Sequence, residues 1–344
     1  LGSGDLTITA NDTVSSRTTS PFSDSVYAAI SANNDSGQNL TITTYDTVTG
    51  VEDGIYAYHS GTGASDINVN GNIVAPNDGI HLKHYGDGAA TIDANGIISG
   101  DSARGIYAKN DGGTGLDITL DGQINNATIG IEAKNYTGDL TITTQAQVPD
   151  SAGITAPAIV SDEFNSQTRP VSGFTSYGIN AEGGASCGAI TIIVNERIQV
   201  GKTGIDVLTK GSGDVTIAAN KSVQSEDTGL SVDHQGAGSI IASVKTGYTI
   251  TGETLGATLK TARQGKSIML SGDGGGRIGG PRAGALLETN DGDITVENLA
   301  ELTAELQQGL VAKSTGGAIT IRNIATLAGG SLLSRTFNSV LISS

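Results

Sequence analysis

Cysteine is almost missing from the chain: Cys187 is the single thiol among 344 residues. No intrachain disulfide can form. That suits a reducing compartment, and equally an exported chain that must stay unfolded in an oxidising periplasm. Tryptophan is absent and aromatics make up only 4% of the residues. A large globular core, where aromatics carry much of the buried area, is therefore excluded. Thin layers of Ile, Val, Leu and Ala can fill only a long, narrow core. Basic charge is scarce, with 19 Lys and Arg against 35 Asp and Glu and a net charge of −16. Binding of polyphosphate by counterion release is excluded, and no nucleic-acid partner is expected. The deficit is uneven: residues 1–172 hold 6 basic and 20 acidic residues, a net of −14, and residues 173–344 hold 13 and 15, a net of −2. Long apolar runs are missing too. The longest, AITIIV at 189–194, is far short of the ~20 residues that a membrane-spanning helix needs. No secretory leader pattern opens the chain.

Glycine, by contrast, is abundant at 50 residues, about twice its usual share, and it marks a repeat. A small residue, usually Gly, precedes an apolar–polar–apolar triplet. The copies begin at Ser25, Gly54, Gly79, Gly105, Gly130, Gly178, Gly204, Gly229, Gly256, Gly284 and Gly309. Their spacings run from 25 to 29 residues, apart from one of 48. A second apolar–polar–apolar element follows each triplet, as in Leu40/Ile42, Ile67/Val69, Ala90/Ile92 and Ile118/Leu120. A weaker third element carries Val48, Ile73, Ile97, Ile124, Val148, Ile198 and their later equivalents.

Alternation with period two is the signature of a strand. Three short strands and three turns per ~25 residues describe one rung of a parallel β-helix. A rung cannot stand alone. About six buried aliphatics contribute roughly 10 kcal/mol, whereas ordering 25 backbone residues costs ~1–2 kcal/mol each. Stacking supplies the difference. The fold expected is all-β: a single-stranded parallel β-helix of about 11–12 rungs, roughly 55 Å long, forming one domain over residues 1–344. The Gly before each triplet is expected to supply a positive-φ corner. The spacing of 48 places an insertion loop at 149–177. Whether Gly153, Ile154, Thr155 and Ala156 belong to a rung or to that loop stays open at this level. The Gly-rich run 272–283 reads as a flexible corner.

The phrase Gly-Ile-x-Ala-x-Asn followed by Gly-x-Ile-Thr-Ile recurs, with small variations, at 105–120, 130–142 and 309–321. It resembles the passenger domains of bacterial autotransporters, the type V secretion proteins, and the resemblance covers nearly the whole chain. It implies a right-handed β-helix, secretion or display on the bacterial surface, and a carboxy-terminal outer-membrane β-barrel in the full-length protein. It also implies a role in adhesion or host interaction, as a virulence factor. The phrase encodes turns and does not encode an activity.

Catalytic motifs are thin. Gly100, Asp101, Ser102 and Ala103 lack the final Gly of a serine-protease motif, and no nucleophile elbow occurs. Residues 112–117 match the start of a calcium-binding nonapeptide once, without tandem copies. His81 and His84, three apart on a strand, leave by opposite faces. Cys187 reads as a small filler. No metal and no cofactor are expected. Glu182, Asp206 and Asp233 fall on one outward face of successive rungs and are the best carboxylates for a polysaccharide-cleaving enzyme, a lyase or glycoside hydrolase.

The outward triplet position is more distinctive. It reads Tyr27, Tyr56, His81 and Tyr107 in the first four rungs, with Tyr58, Lys83, Lys109 and Lys134 two residues on. Aromatic ladders can dock sugar faces or a partner's anchor residues. The insertion adds Phe164, Arg169 and Phe174, since solenoid insertions commonly project on the binding face. The expectation is a non-enzymatic module that binds a host surface or matrix molecule, protein or glycan, or a sister molecule. The alternatives are the polysaccharide-cleaving enzyme and an effector that engages one host receptor.

Overall fold

The computed structural model describes residues 3–16, 28–101, 103–145, 153–155, 177–306, 308–328, 331–336 and 340–343. They form a right-handed parallel β-helix of about eleven turns. No described helix is long and apolar enough to cross a membrane. The strands stack in three columns, each strand pairing in parallel with its equivalent one turn away. In the first column Ile55 pairs with Ile80, Ile80 with Ile106, Ile106 with Ile131, Ile131 with Ile179 and Ile179 with Ile205. The second column aligns Ile42, Ile67, Ile92, Ile118 and Ile142. The third aligns Val48, Ile73, Ile98 and Ile124. All of these aliphatics are 0–1% exposed. Stacking thus converts rungs that cannot fold separately into one continuous core.

The first corner is closed from inside by polar residues. The last inward position of the first strand carries Asn34, His59, His84, Asn110, Asn135, Thr209, His234, Thr261, Thr289 and Ser314, all buried. Several visibly satisfy backbone groups of the following turn. Gly113 N donates to Asn110 Oδ1 at 3.0 Å, and Asn135 Nδ2 donates to the Gly138 carbonyl at 2.8 Å. A buried polar group keeps its place only when it is bonded in this way.

Several local expectations change. The Gly before each triplet is required by space and not by a left-handed backbone. A Cβ on Gly54 would overlap Cγ2 of Ile73, in the third strand, and the Gly79 carbonyl of the next rung. The positive-φ corners fall elsewhere, at Asn126, Asp291, Asn298 and Asn323 and at Gly138, Gly247, Gly265 and Gly274. The buried third-column residue is Ile98; Ile97 is 42% exposed. Gly153–Thr155 is a rung strand that pairs with Gln123–Asn125 and Arg197–Val200, so Ile154 takes the place expected of Val148. The Gly-rich run is largely strand, within Ile268–Gly279, which turns the corner with register shifts between Ser271 and Arg277. Cys187 packs in the core at 0% exposure, and burial pushes its thiol pKa up.

Candidate functional site

The outward column of the first strand begins Ser31, Tyr56, His81, Tyr107, Glu132, Asn180, Asp206. Ser31, not Tyr27, is the rung neighbour of Tyr56. Tyr27 lies outside the described residues, as do Phe164, Arg169 and Phe174 of the insertion. The structure therefore brings together Tyr56, His81 and Tyr107 from the expected set. Their rings touch in sequence: Tyr56 to His81 at 5.0 Å between centroids, and His81 to Tyr107 at 4.7 Å, edge to face. Edge-to-face pairs of this kind add ~0.5–1.5 kcal/mol beyond their buried area.

This column is not an open platform. Tyr107 is 9% exposed and the His81 side chain 12%. Asp53, Asp78 and Arg104, the residues just before Gly54, Gly79 and Gly105, lock it from the side. His81 Nδ1 lies 2.8 Å from Asp78 Oδ2 and 3.9 Å from Asp53 Oδ2. Arg104 grips Asp78 with two hydrogen bonds, at 2.8 and 2.7 Å, and gives a third to Glu132 at 3.1 Å. Its guanidinium also lies 4.1 Å from the Tyr107 ring centre, a cation–π contact. Lys134 bridges Glu132 at 3.2 Å and Glu182 at 3.6 Å. Burial alone would raise the Asp78 carboxyl, but the hydrogen bonds from His81 and Arg104 outweigh it and hold the pKa below the ordinary carboxylate value. Asp53 goes the other way: burial, with the nearby Asp78 charge, pushes it up.

The more open aromatic surface lies in the neighbouring strip. Tyr58 meets Tyr85 at 5.5 Å. The Lys109 ammonium sits 5.2 Å from the centre of the Tyr85 ring and 5.4 Å from that of Tyr136. Tyr85 is 36% exposed. Sequence reasoning missed Tyr85 and Tyr136, although a signal existed: each directly follows an inward polar residue, His84 and Asn135, at the same place in its rung. Asp53, Asp78 and Arg104 were missed because they stand just outside the Gly that marks each triplet.

Asp206 stands in the outward ring column, whereas Glu182 and Asp233 stand in the next one, with Leu208 between them. The three carboxylates thus lie on one outward face of successive rungs, as expected, in two adjacent columns, and the Asp233 charge adds to the rise at Asp206. Burial raises Asp206, opposed by a hydrogen bond from Ser231 and the charge of Lys202. His84 points inward, 3.0 Å from the Gly88 carbonyl and 2.8 Å from Ser65 Oγ, away from His81. Residues 112–117 form a turn leading into the strand Gly115–Leu120. The chain matches no protein-family model, no curated protein and no solved structure.

Proposed function

We propose that this chain is a non-enzymatic binding rod, secreted or displayed on a bacterial surface, that attaches to a host surface or matrix molecule through one face of its first column. The resemblance to autotransporter passengers supports export, with an outer-membrane β-barrel as the anchor in the full-length protein. A single buried thiol suits passage as an unfolded chain. One observation carries the binding role: Tyr58, Tyr85, Lys109 and Tyr136 form a continuous strip of rings and amine across successive rungs. Stacked aromatics beside an amine fit the apolar faces of sugar rings and the anchor side chains of a protein partner.

The test is binding of the purified rod to host cells and to a glycan and matrix-protein panel. The Tyr58→Ser/Tyr85→Ser variant should keep its melting temperature within a few degrees and lose at least tenfold in affinity. Equal binding by both proteins would refute the reading.

A further inference from the structure

We propose that Asp53, Asp78 and His81 form a binding site for one divalent first-row transition ion, a role independent of the surface strip. Donor atoms of the three side chains lie within 4.8 Å of one another. The separations from His81 Nδ1, 2.8 Å to Asp78 and 3.9 Å to Asp53, are within the ~4–4.4 Å that two ligands can span across one centre with bonds of ~2.0–2.2 Å. The solenoid fixes this geometry through its repeat. Asp53 and Asp78 occupy equivalent places in adjacent rungs, and His81 projects outward two residues after Gly79.

The carboxylates are already oriented as ligands require. Asp53 Oδ1 accepts from Asn77 Nδ2 at 2.9 Å and from the Asp78 backbone N–H at 3.1 Å, which leaves Oδ2 as the oxygen nearer His81. Arg104 bonds both Asp78 oxygens, Oδ1 at 2.8 Å and Oδ2, the one nearer His81, at 2.7 Å. Ligating carboxylates generally have such outer hydrogen bonds, which fix their direction. Charge points the same way. Arg104 is shared between Asp78 and Glu132, and Lys134 is shared between Glu132 and Glu182. Among the described residues, no Lys or Arg comes within 4.0 Å of Asp53. Asp53 and Asp78 are 3% and 0% exposed, and a buried carboxylate needs a counter-charge. One imidazole with two carboxylates suits Zn²⁺ or Mn²⁺, whereas Ca²⁺ takes oxygen ligands.

The experiment is calorimetric titration of the EDTA-treated full chain with ZnCl2, MnCl2 and CaCl2. Zinc should saturate at one ion per chain with a micromolar or lower Kd, and calcium should give no saturable heat. Asp53→Asn and His81→Tyr should each weaken zinc at least tenfold. His81→Tyr continues the Tyr56 and Tyr107 column, so it removes the imidazole while keeping the stack. Imidazole ¹H–¹⁵N correlations on the wild-type protein give a readout that no variant's folding affects: His81 should shift with zinc while His59, His84 and His234 stay. Absence of saturable zinc binding, equal calcium binding, undiminished zinc affinity in both variants or a shift confined to another histidine would each overturn the proposal.

Discussion

His59 and His84 lie face to face inside the rod, one rung apart, with ring centroids 5.3 Å apart and planes 24° apart. Neither ring reaches solvent. His84 Nε2 faces the Gly88 carbonyl, which can only accept, so this nitrogen carries the proton and Nδ1 accepts from the Ser65 hydroxyl. The neutral ring thus satisfies both neighbours, and a second proton would place charge in a dry core beside another imidazole. Burial first, and then the His59 charge, lowers the pKa of His84; burial likewise lowers that of His234.

The sign of the consequence follows from linkage. The unfolded chain binds protons at its histidines near pH 6.5, and the folded chain binds them at His84 and His234 only below that. These two residues therefore contribute stability in full above pH 6.5, and it is lost as pH falls from there toward the folded values. The raised carboxyls of Asp53, Asp93 and Asp206 act oppositely, gaining stability on acidification at lower pH. A substitution isolates the histidine part. His84→Asn places in this rung the residue that Asn110 and Asn135 carry in the next two. Melting temperatures of the wild type and His84→Asn, taken from pH 8 to pH 5, should converge as pH falls. A constant gap would show that His84 protonation does not affect stability.

Gly54 gives a prediction about the repeat's own signature. Its missing Cβ is filled space, occupied by Ile73 of the third strand and the carbonyl of Gly79. Gly54→Ala should cost ~1–3 kcal/mol or more, as overpacking does, and lower the urea midpoint accordingly. At Gly4 a methyl group would meet nothing within 4 Å, so Gly4→Ala should stay within ~0.5 kcal/mol of the wild type.

The period, the strand count and the aliphatic core were legible because buried Ile and Val recur with fixed parity. Errors arose where parity did not discriminate. Residues 25–28 and 29–32 both fit the triplet, and only pairing with Asp53–His59 selects Ile30 and Ser31 as its centre. The ring column was readable because Tyr56, His81 and Tyr107 share a repeat position. Its acidic flank was not, since the contact between Asp78 and Arg104 spans 26 residues and only the register of adjacent rungs brings the two together.

Ile97 and Ile98 make the sharpest case, because composition cannot tell them apart. Ile98 is fully buried and aligned with Ile73 and Ile124; Ile97 is 42% exposed. Ile98→Ala should cost ~2–5 kcal/mol in transfer and cavity energy, and Ile97→Ala should stay within ~0.5 kcal/mol. Chemical denaturation of the two variants checks the assignment, and a larger loss from Ile97→Ala would reverse it.

Arg104 is the joint of the charged network, and its removal tests whether that network holds the ring column. Its partners Asp78 and Glu132 belong to the rungs on either side, so it clamps three turns at once. Arg104→Met keeps much of the side-chain volume over Tyr107 but leaves the Asp78 carboxylate buried without its cation. Breaking a fully buried pair costs ~3–5 kcal/mol. The Arg104 side chain is 25% exposed, so solvent screening lowers the expectation to about 2 kcal/mol. Asp78 should then titrate higher, since the bonds that hold its pKa down include those from Arg104. The double variant Arg104→Met/Asp78→Asn should recover part of the loss by removing the stranded charge. Denaturation midpoints across this cycle give the coupling energy, and additive losses would mean that the two residues hold the column independently.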